Sequence, residues 1–440
     1  MKDYFKKIIN AIGSEVPTGV LFTCNFSAEE SEFCRFNRGS IRQSGSVLQQ
    51  GVNLCLIKGN RQAKTYQALS RNIENDGKEL KRTIASLMDQ LSLIPDDPFL
   101  HINEKVESSE SISASKQLDL KKLCSDVIAS TEGKDFVGIL AGGQIYRGFA
   151  NSFGQLNWYQ SGTFSLDWSL YVRDDKAVKQ SYAGFEWDRS FFEKKLSQGM
   201  EQLEIVSKPP RTVKPGAYRC YLAPAAVQEL LEIISWGGFG KKSIATKNSS
   251  LIKLYDEGQS LSSKVKLVEN TKGGLAPNFD DCGFIKPDEL VLIDEGKAKG
   301  ALVSARSAKE FDLASTGATS SEMPEALWLT SGTLPSGEVL KRLGTGFYVN
   351  NLWYVNFSDR QSGRLTGMTR FASFWVEDGK IAAPLNVMRF DDSIFNILGD
   401  HLEAFTDEAE LMFSADTYEQ RSTTCFKLPG ALVSSINFTL

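Results

Sequence analysis

Lys208-Pro209-Pro210-Arg211-Thr212-Val213-Lys214-Pro215-Gly216 divides the chain into two unlike halves. Prolines stop a preceding helix and stiffen a connection, so residues 208–216 read as a linker and mark a domain boundary. Before this stretch, helical and extended patterns alternate; beyond it, extended segments with glycine turns dominate. The sequence therefore predicts an α+β protein of two domains. Residues 1–207 would form an N-terminal α/β domain of antiparallel sheets and long helices. Residues 217–440 would form a β-rich domain, barrel- or sandwich-like, with a few helices.

Working back from the linker, Phe191, Leu196, Met200 and Leu203 predict a helix over about 187–206. Strands near 136–141, 144–150, 155–172 and 178–185 precede it, and a helix over about 117–130 comes before those. The same succession occurs earlier. Phe5, Ile8, Ile9 and Ile12 recur at helical spacing. Extended segments at 20–26, 32–36, 41–47 and 52–57 follow, with Asn37-Arg38-Gly39 and Gln49-Gln50-Gly51 as turns. Tyr66, Leu69, Ile73, Leu80, Ile84, Leu87 and Leu91 then predict one long helix over 61–93. Helix, strands, helix thus occurs twice and hints at an internal duplication. Serine-rich residues 107–116 read as the loop between the two cycles.

Past the linker, Val227, Leu230, Leu231 and Ile234 predict a helix over 224–236 that stops at Gly237-Gly238. Strands are expected at 289–293, 301–304, 346–357 and 373–376, and helices near 306–311 and 392–404.

Fifty basic and 54 acidic residues leave a net charge of −4, which argues against a nucleic-acid coat or a polybasic membrane binder. Seven cysteines stand singly with no CxxC pair, an odd count that suits a reduced compartment. The charged N-terminus Met1-Lys2-Asp3-Tyr4-Phe5-Lys6-Lys7-Ile8-Ile9 lacks the apolar core of a signal peptide, and no apolar run approaches the ~18 residues of a membrane span. A cytoplasmic protein is expected.

A helix-borne zinc peptidase needs closely spaced imidazoles with a glutamate beside them. This chain has two histidines, His101 and His401, far apart in sequence and without partners for a Ser-His-Asp or Cys-His site. His401 falls in a predicted helix beside Glu403. The pattern SxxK occurs at Ser113/Lys116 and Ser250/Lys253 in polar, loop-like contexts. Gly344-Thr345-Gly346 leads into a strand and not a helix N-terminus, so it reads as a turn and not a phosphate cradle. Asp280-Asp281 and Asp391-Asp392 lack EF-hand spacing and read as solvated loops. Arg35, Arg38 and Arg42, interleaved with Phe33 and Phe36, superficially match a nucleic-acid patch, a reading that the acidic whole disfavours.

Two further stretches carry more. The first is Ser31-Glu32-Phe33-Cys34-Arg35-Phe36-Asn37-Arg38-Gly39-Ser40-Ile41-Arg42-Gln43. The second runs from Gly344-Thr345-Gly346-Phe347-Tyr348-Val349-Asn350-Asn351-Leu352 through Thr366-Gly367 to Phe374-Trp375-Val376-Glu377-Asp378-Gly379-Lys380-Ile381 and Pro384. With Gly148-Phe149-Ala150-Asn151-Ser152, Gly154 and Cys425, they resemble the TldD/PmbA family of peptidase-complex subunits, historically labelled modulators of DNA gyrase.

The resemblance implies one of two subunit kinds. TldD-like members carry a histidine-glutamate-xxx-histidine helix, with a C-terminal cysteine completing the metal site; TldE- or PmbA-like members lack the histidines. By resemblance that helix falls on Leu230-Leu231-Glu232-Ile233-Ile234-Ser235-Trp236-Gly237, with Glu232 and Gly237 at the histidine positions and Ile233 at the glutamate. Cys425 corresponds to the family's cysteine. One carboxylate and a distant thiol make a poor tetrahedral zinc set, so no catalytic residue and no metal ligand are assigned to this chain. Binding residues stay unassigned, and zinc is expected only in a TldD-like partner.

The implied function is that of the metal-free subunit of a metallopeptidase complex that degrades unstructured peptides or removes leader peptides. It would pair as a hetero- or homodimer with a TldD/PmbA-family subunit and hold peptide by strand addition to a sheet edge. Two alternatives stay open: a peptidase in its own right with a Cys/carboxylate metal site, and a non-enzymatic homodimer or modulator of DNA gyrase.

Overall fold

A computed structural model describes residues 1–112, 118–173, 176–414 and 420–439 of the 440-residue chain. The first half holds helices α1 (Lys2–Glu15), α2 (Ile73–Leu91), α3 (Leu120–Thr131) and α4 (Arg189–Val206). Its strands are β1 (Leu21–Asn37), β2 (Ser40–Lys58), β3 (Arg61–Ala68), β4 (Ser109–Ile112), β5 (Phe136–Asn151), β6 (Leu156–Arg173) and β7 (Lys176–Gly184). They make one sheet in the order β3-β2-β1-β5-β6, with β7 and β4 both paired to β6. All pairings are antiparallel except β4 with β6. Followed from β3 to β7, two antiparallel three-stranded units meet back to back at the β1–β5 ladder. Each unit is flanked by one helix before it and one after, which is the duplication that the sequence hints at.

Side-chain alternation gives this sheet two unlike faces. Phe22, Cys24 and Phe26 of β1 pack with α1 and α2 around Phe5, Leu80 and Trp158. Further along the same face of β1, Cys34 and Phe36 pack with α3 and α4 around Val127, Trp168 and Phe192. All four helices therefore cover one side. The other side is polar: Thr23, Glu29, Ser31, Asn157, Ser161 and Thr163 are buried there beneath segments from the second half of the chain. Asn25 donates to the Asp281 carbonyl at 3.0 Å, and Phe279 packs against Phe149 and Tyr159.

Several sequence expectations need correction. The pairs of short strands expected at 20–26/32–36 and 41–47/52–57 are two long strands. Gln49-Gln50-Gly51 continues β2, because the ring of Tyr66 lies where a Cβ on Gly51 would stand. The helix expected over 61–93 is a strand followed by a shorter helix. Residues 61–68 pair with β2, and Asn72 starts α2 by accepting from the Glu74 and Asn75 amides at 3.1 and 3.2 Å. In α4 the buried aromatic is Phe192, while Phe191 is 42% exposed. Within the expected loop 107–116, residues 109–112 pair with β6; the rest, with Ser113 and Lys116, lies outside the described residues.

The second half contains β8 (Gly216–Leu222), α5 (Pro224–Ser235), α6 (Lys241–Ala245), α7 (Ile252–Asp256), β9 (Leu267–Glu269), β10 (Leu290–Asp294) and β11 (Lys297–Ala298). There follow α8 (Ala305–Glu310), β12 (Ala326–Leu329), α9 (Val339–Leu343), β13 (Gly346–Asp359), β14 (Arg364–Glu377), β15 (Lys380–Pro384), β16 (Arg389–Ser393), β17 (Leu402–Phe413) and β18 (Cys425–Phe438). β8, β13, β14, β16 and β18 pair in turn, and β18 pairs back to β8, so these five strands close into a barrel. Leu230 of α5 reaches the barrel interior with Leu222, Val349, Phe390 and Phe438. The void left there, about 10 Å³, is too small to be more than a packing gap.

The helix expected over 392–404 is instead the end of β16, a π-turn at Asn396–Asp400 and the start of β17, with Gly399 far from helical geometry. Residues 301–304 make only isolated bridges, Leu302 with Gly240 and Ser304 with Ala318. The proline-rich stretch lies along the barrel wall: Arg211 stacks over Trp375 at 4.6 Å and pairs with Glu377 at 3.3 Å.

Candidate functional site

Helix α5 begins with Pro224, whose missing N–H costs nothing at a first helical position. Its apolar residues Val227, Leu230, Leu231 and Ile234 are buried in the barrel core. Ile233 is buried there as well, so the position that resemblance gives to a general base points into hydrocarbon. Past Pro224, only Glu229, Glu232 and Trp236, with Gln228 and Ala225 beside them, break the burial, and they share one helical face.

That face looks toward the polar side of the N-terminal sheet. Lys179 of β7 is close enough for its charge to oppose the raising of the Glu229 pKa, and it forms an ion pair with Asp167 of β6 at 3.4 Å. Asn350, at an irregular point of β13, donates to the Lys179 carbonyl at 3.1 Å and to Asn351 at 2.7 Å. Burial pushes the Glu229 carboxyl up to about 7, with the Glu232 charge adding to the rise. Glu232 is raised by burial too. A carboxyl near neutrality can both donate to and accept from a peptide group. Glu229, Lys179, Asp167 and Asn350 were missed in the sequence; the i, i+3 pair Glu229/Glu232 is the signal that was there to find.

Gly237 stands beyond the end of α5, at φ +80°, a left-handed conformation that ends the helix. A Cβ on it would meet Arg360 Nη2 at 2.8 Å and Ser243 Oγ at 2.9 Å, and the Arg360 guanidinium donates to the Trp236 carbonyl. A side chain at this position is strained by the left-handed backbone and must displace both groups.

Cys425, the first residue of β18, is fully buried among Leu275, Ala326, Phe413 and Leu411. Burial pushes its thiol up to about 12, and the Glu269 and Glu325 charges add to this. Both carboxylates are engaged elsewhere. Glu269 accepts from the backbone amides of Glu325 and Ala326 at 3.0 Å, and Glu325 is ion-paired with Lys286. Among the described residues, no three His, Cys, Asp or Glu side chains converge as a metal site would require. The residues that resemblance puts at the family's metal positions, Glu232, Gly237 and Cys425, therefore make a poor set for zinc.

The remaining sequence candidates are dispersed. His101 rests against Phe284 with ring centroids 5.0 Å apart, and burial lowers its pKa. His401 lies in no α-helix; it follows the π-turn and meets Ser434 Oγ at 3.2 Å. Ser250 is fully buried with its hydroxyl unpaired, so it makes no couple with Lys253. Gly344 is a turn, as expected: it ends α9 at φ +68°. Asp280 and Asp392 are not solvated loop residues. Asp392 is buried and accepts from Ser393, Asn396 and Asn437, while Asp391 pairs with Arg364. Asp280, 4% exposed, accepts from the Cys282 and Phe284 amides at 2.9 and 2.8 Å. Phe36 belongs to the helix-side core and is unavailable for stacking with Arg35 or Arg42.

The family described as PmbA/TldA metallopeptidase C-terminal domain matches residues 215–440, just over half of the chain. This chain belongs to the TldD/PmbA family. No curated protein matches the sequence. Among solved structures, this TldD/PmbA-family chain is similar to TldE from Thermococcus kodakarensis, with a TM-score of 0.78 at 14% identity, over 99% of this chain and 100% of that one. It is also similar to a Thermotoga maritima protein described as a candidate modulator of a DNA gyrase, with a TM-score of 0.77 at 15% identity, over 100% of both chains. A Bacteroides thetaiotaomicron protein with a like description gives 0.76 at 15%, over 100% of this chain and 98% of that one. At such identities the likeness is one of fold.

Proposed function

We propose that this chain is the metal-free subunit of a TldD/TldE-type metallopeptidase complex and lines the peptide compartment of a zinc-bearing paralogue. The observation that carries the reading is Gly237: the helix ends in a left-handed glycine that has no side chain to ligate and is crowded by Arg360 and Ser243, one turn after a carboxylate and a buried isoleucine at the other two positions that resemblance points to. The likeness to TldE supports it at the level of fold. The open face of α5, with Glu229 and Glu232 beside Lys179 and Asn350, would meet the peptide backbone. Residues 40–48 of β2 have no strand partner on their outer side among the described residues, so an extended peptide can add there. A cytoplasmic setting belongs to the same proposal; it rests on seven scattered cysteines, and no helix among the described residues is long and apolar enough to cross a membrane.

The test is peptide degradation by this chain alone, by a histidine-bearing family member alone, and by the two mixed. Activity confined to the mixture, with zinc carried by the other subunit, is expected. Hydrolysis by this chain alone, with stoichiometric zinc, would sink the proposal.

A further inference from the structure

Cys34, near the end of β1, and Cys124, on α3, are separated by 90 residues in sequence, yet their sulfurs lie 2.7 Å apart. A disulfide bond is roughly 2.0 Å long, so less than an ångström of approach separates the two thiols from a covalent link. The pair sits where α3 crosses the helix-covered face of the sheet, in the core that also receives Ala372 and Phe374 from the barrel.

We propose that Cys34 and Cys124 are a redox-responsive pair that closes to an intrachain disulfide by exchange with a low-molecular-weight disulfide such as oxidised glutathione. In the first step one protein thiolate attacks a sulfur of the oxidant, forming a mixed disulfide and expelling one thiolate. In the second, the other protein sulfur displaces the remaining small thiol. The two protons that leave the cysteines end on the two released thiols, so the oxidant is reduced and the protein oxidised by two electrons.

The surroundings single out this pair. Cys24, Cys220 and Cys425 are fully buried, out of reach of a small oxidant, whereas Cys34 and Cys124 keep 9% and 8% exposure. Cys55 and Cys282 are more exposed, but Cys55 turns its thiol to Leu56 and Gln62. Burial pushes the Cys124 thiol up to about 12, with Cys34 adding to the rise, so the thiolate is scarce at neutral pH. Closure is consequently slow near pH 7 and speeds up toward pH 9, as befits a responder to sustained oxidation and not a catalytic thiol. Once closed, the link ties α3 to β1 and restricts the unfolded chain over a long loop, so the oxidised protein melts at a higher temperature than the reduced one.

The full-length protein is equilibrated in a series of glutathione buffers from reducing to oxidising, quenched in acid, alkylated in denaturant and weighed intact. Reduced protein should take up seven alkyl groups and oxidised protein five, with one digest fragment pair joining residues 34 and 124. Cys124→Ser should form no internal link under either condition, stop at the mixed disulfide if Cys34 reacts, and lose the rise in melting temperature. In the wild-type protein, uptake of seven groups throughout, a link joining Cys55 to Cys282 instead, or a persistent glutathione adduct on Cys34 or Cys124 overturns the proposal. The wild-type measurements decide it even if the variant does not fold.

Discussion

Arg421 Nη2 donates to the Thr163 carbonyl at 3.0 Å, so a side chain from just before the last strand ends on the polar face of the N-terminal sheet. Its Nη1 reaches Ser31 Oγ and the Gly143 carbonyl at 3.4 and 3.3 Å, and its own amide donates to Glu29 at 3.2 Å. Removing the guanidinium strands the buried oxygens it serves and withdraws the positive charge near Glu29. Arg421→Ala is therefore expected to cost about 3–5 kcal/mol, measured as a lower urea midpoint with little change in slope.

Asp280 fills a buried turn with one oxygen bonded to two amides and Oδ2 unpaired. Burial and the neighbouring Asp281 raise it to about 7, above its unfolded value. The native state thus holds this proton more tightly, so the group lowers stability as pH rises from about 4 to 7. Asp280→Asn should flatten that fall and leave the protein more stable at pH 8 by about 1–3 kcal/mol, read from denaturation curves at pH 5 and 8.

Glu229 obeys the same sign, being raised to about 7 by burial and by Glu232. Glu229→Gln should remove a pH-dependent step near neutrality from peptide binding by the mixed complex. Unchanged pH dependence in a fluorescence titration would detach Glu229 from the peptide compartment.

Restoring the family motif should fail. In Glu232→His, Ile233→Glu, Gly237→His, the third change places a side chain on a left-handed residue against Arg360 and Ser243. The second places a carboxyl in the barrel core. Loss of several kcal/mol and no stoichiometric zinc by elemental analysis are expected.

Asn72 is a helix cap with ordinary consequences. Asn72→Ala removes the acceptor of two amides at the start of α2 and should cost about 1 kcal/mol, seen in the melting temperature.

What the sequence revealed follows from which forces are local. Heptad-like stripes marked α2, α4 and α5, and the α+β class with its two sheets was legible from their alternation with extended runs. Strand lengths were not, because Gly51 looks like a turn until Tyr66 is seen lying over it. Residues 61–68 carry apolar residues at spacings that suit a helix, and only pairing with β2 makes them a strand. At the site, resemblance led to Glu232, Ile233 and Gly237. It could not reveal Lys179, which comes near Glu229 of α5 only because the sheet turns its polar face toward the barrel, or Asp167, which pairs with Lys179.

The back-to-back arrangement of the two three-stranded units has a cost during synthesis. β1 gains its second neighbour only when β5 has been made, with Thr23 opposite Asn151 and Phe36 opposite Gly138. At translation rates of roughly 5–20 residues per second, one long edge of the growing chain stays open for several seconds. The nascent N-terminal unit therefore offers the same edge to a sister chain on a neighbouring ribosome, and shielding it in that interval becomes a task for the cell and not for the finished fold.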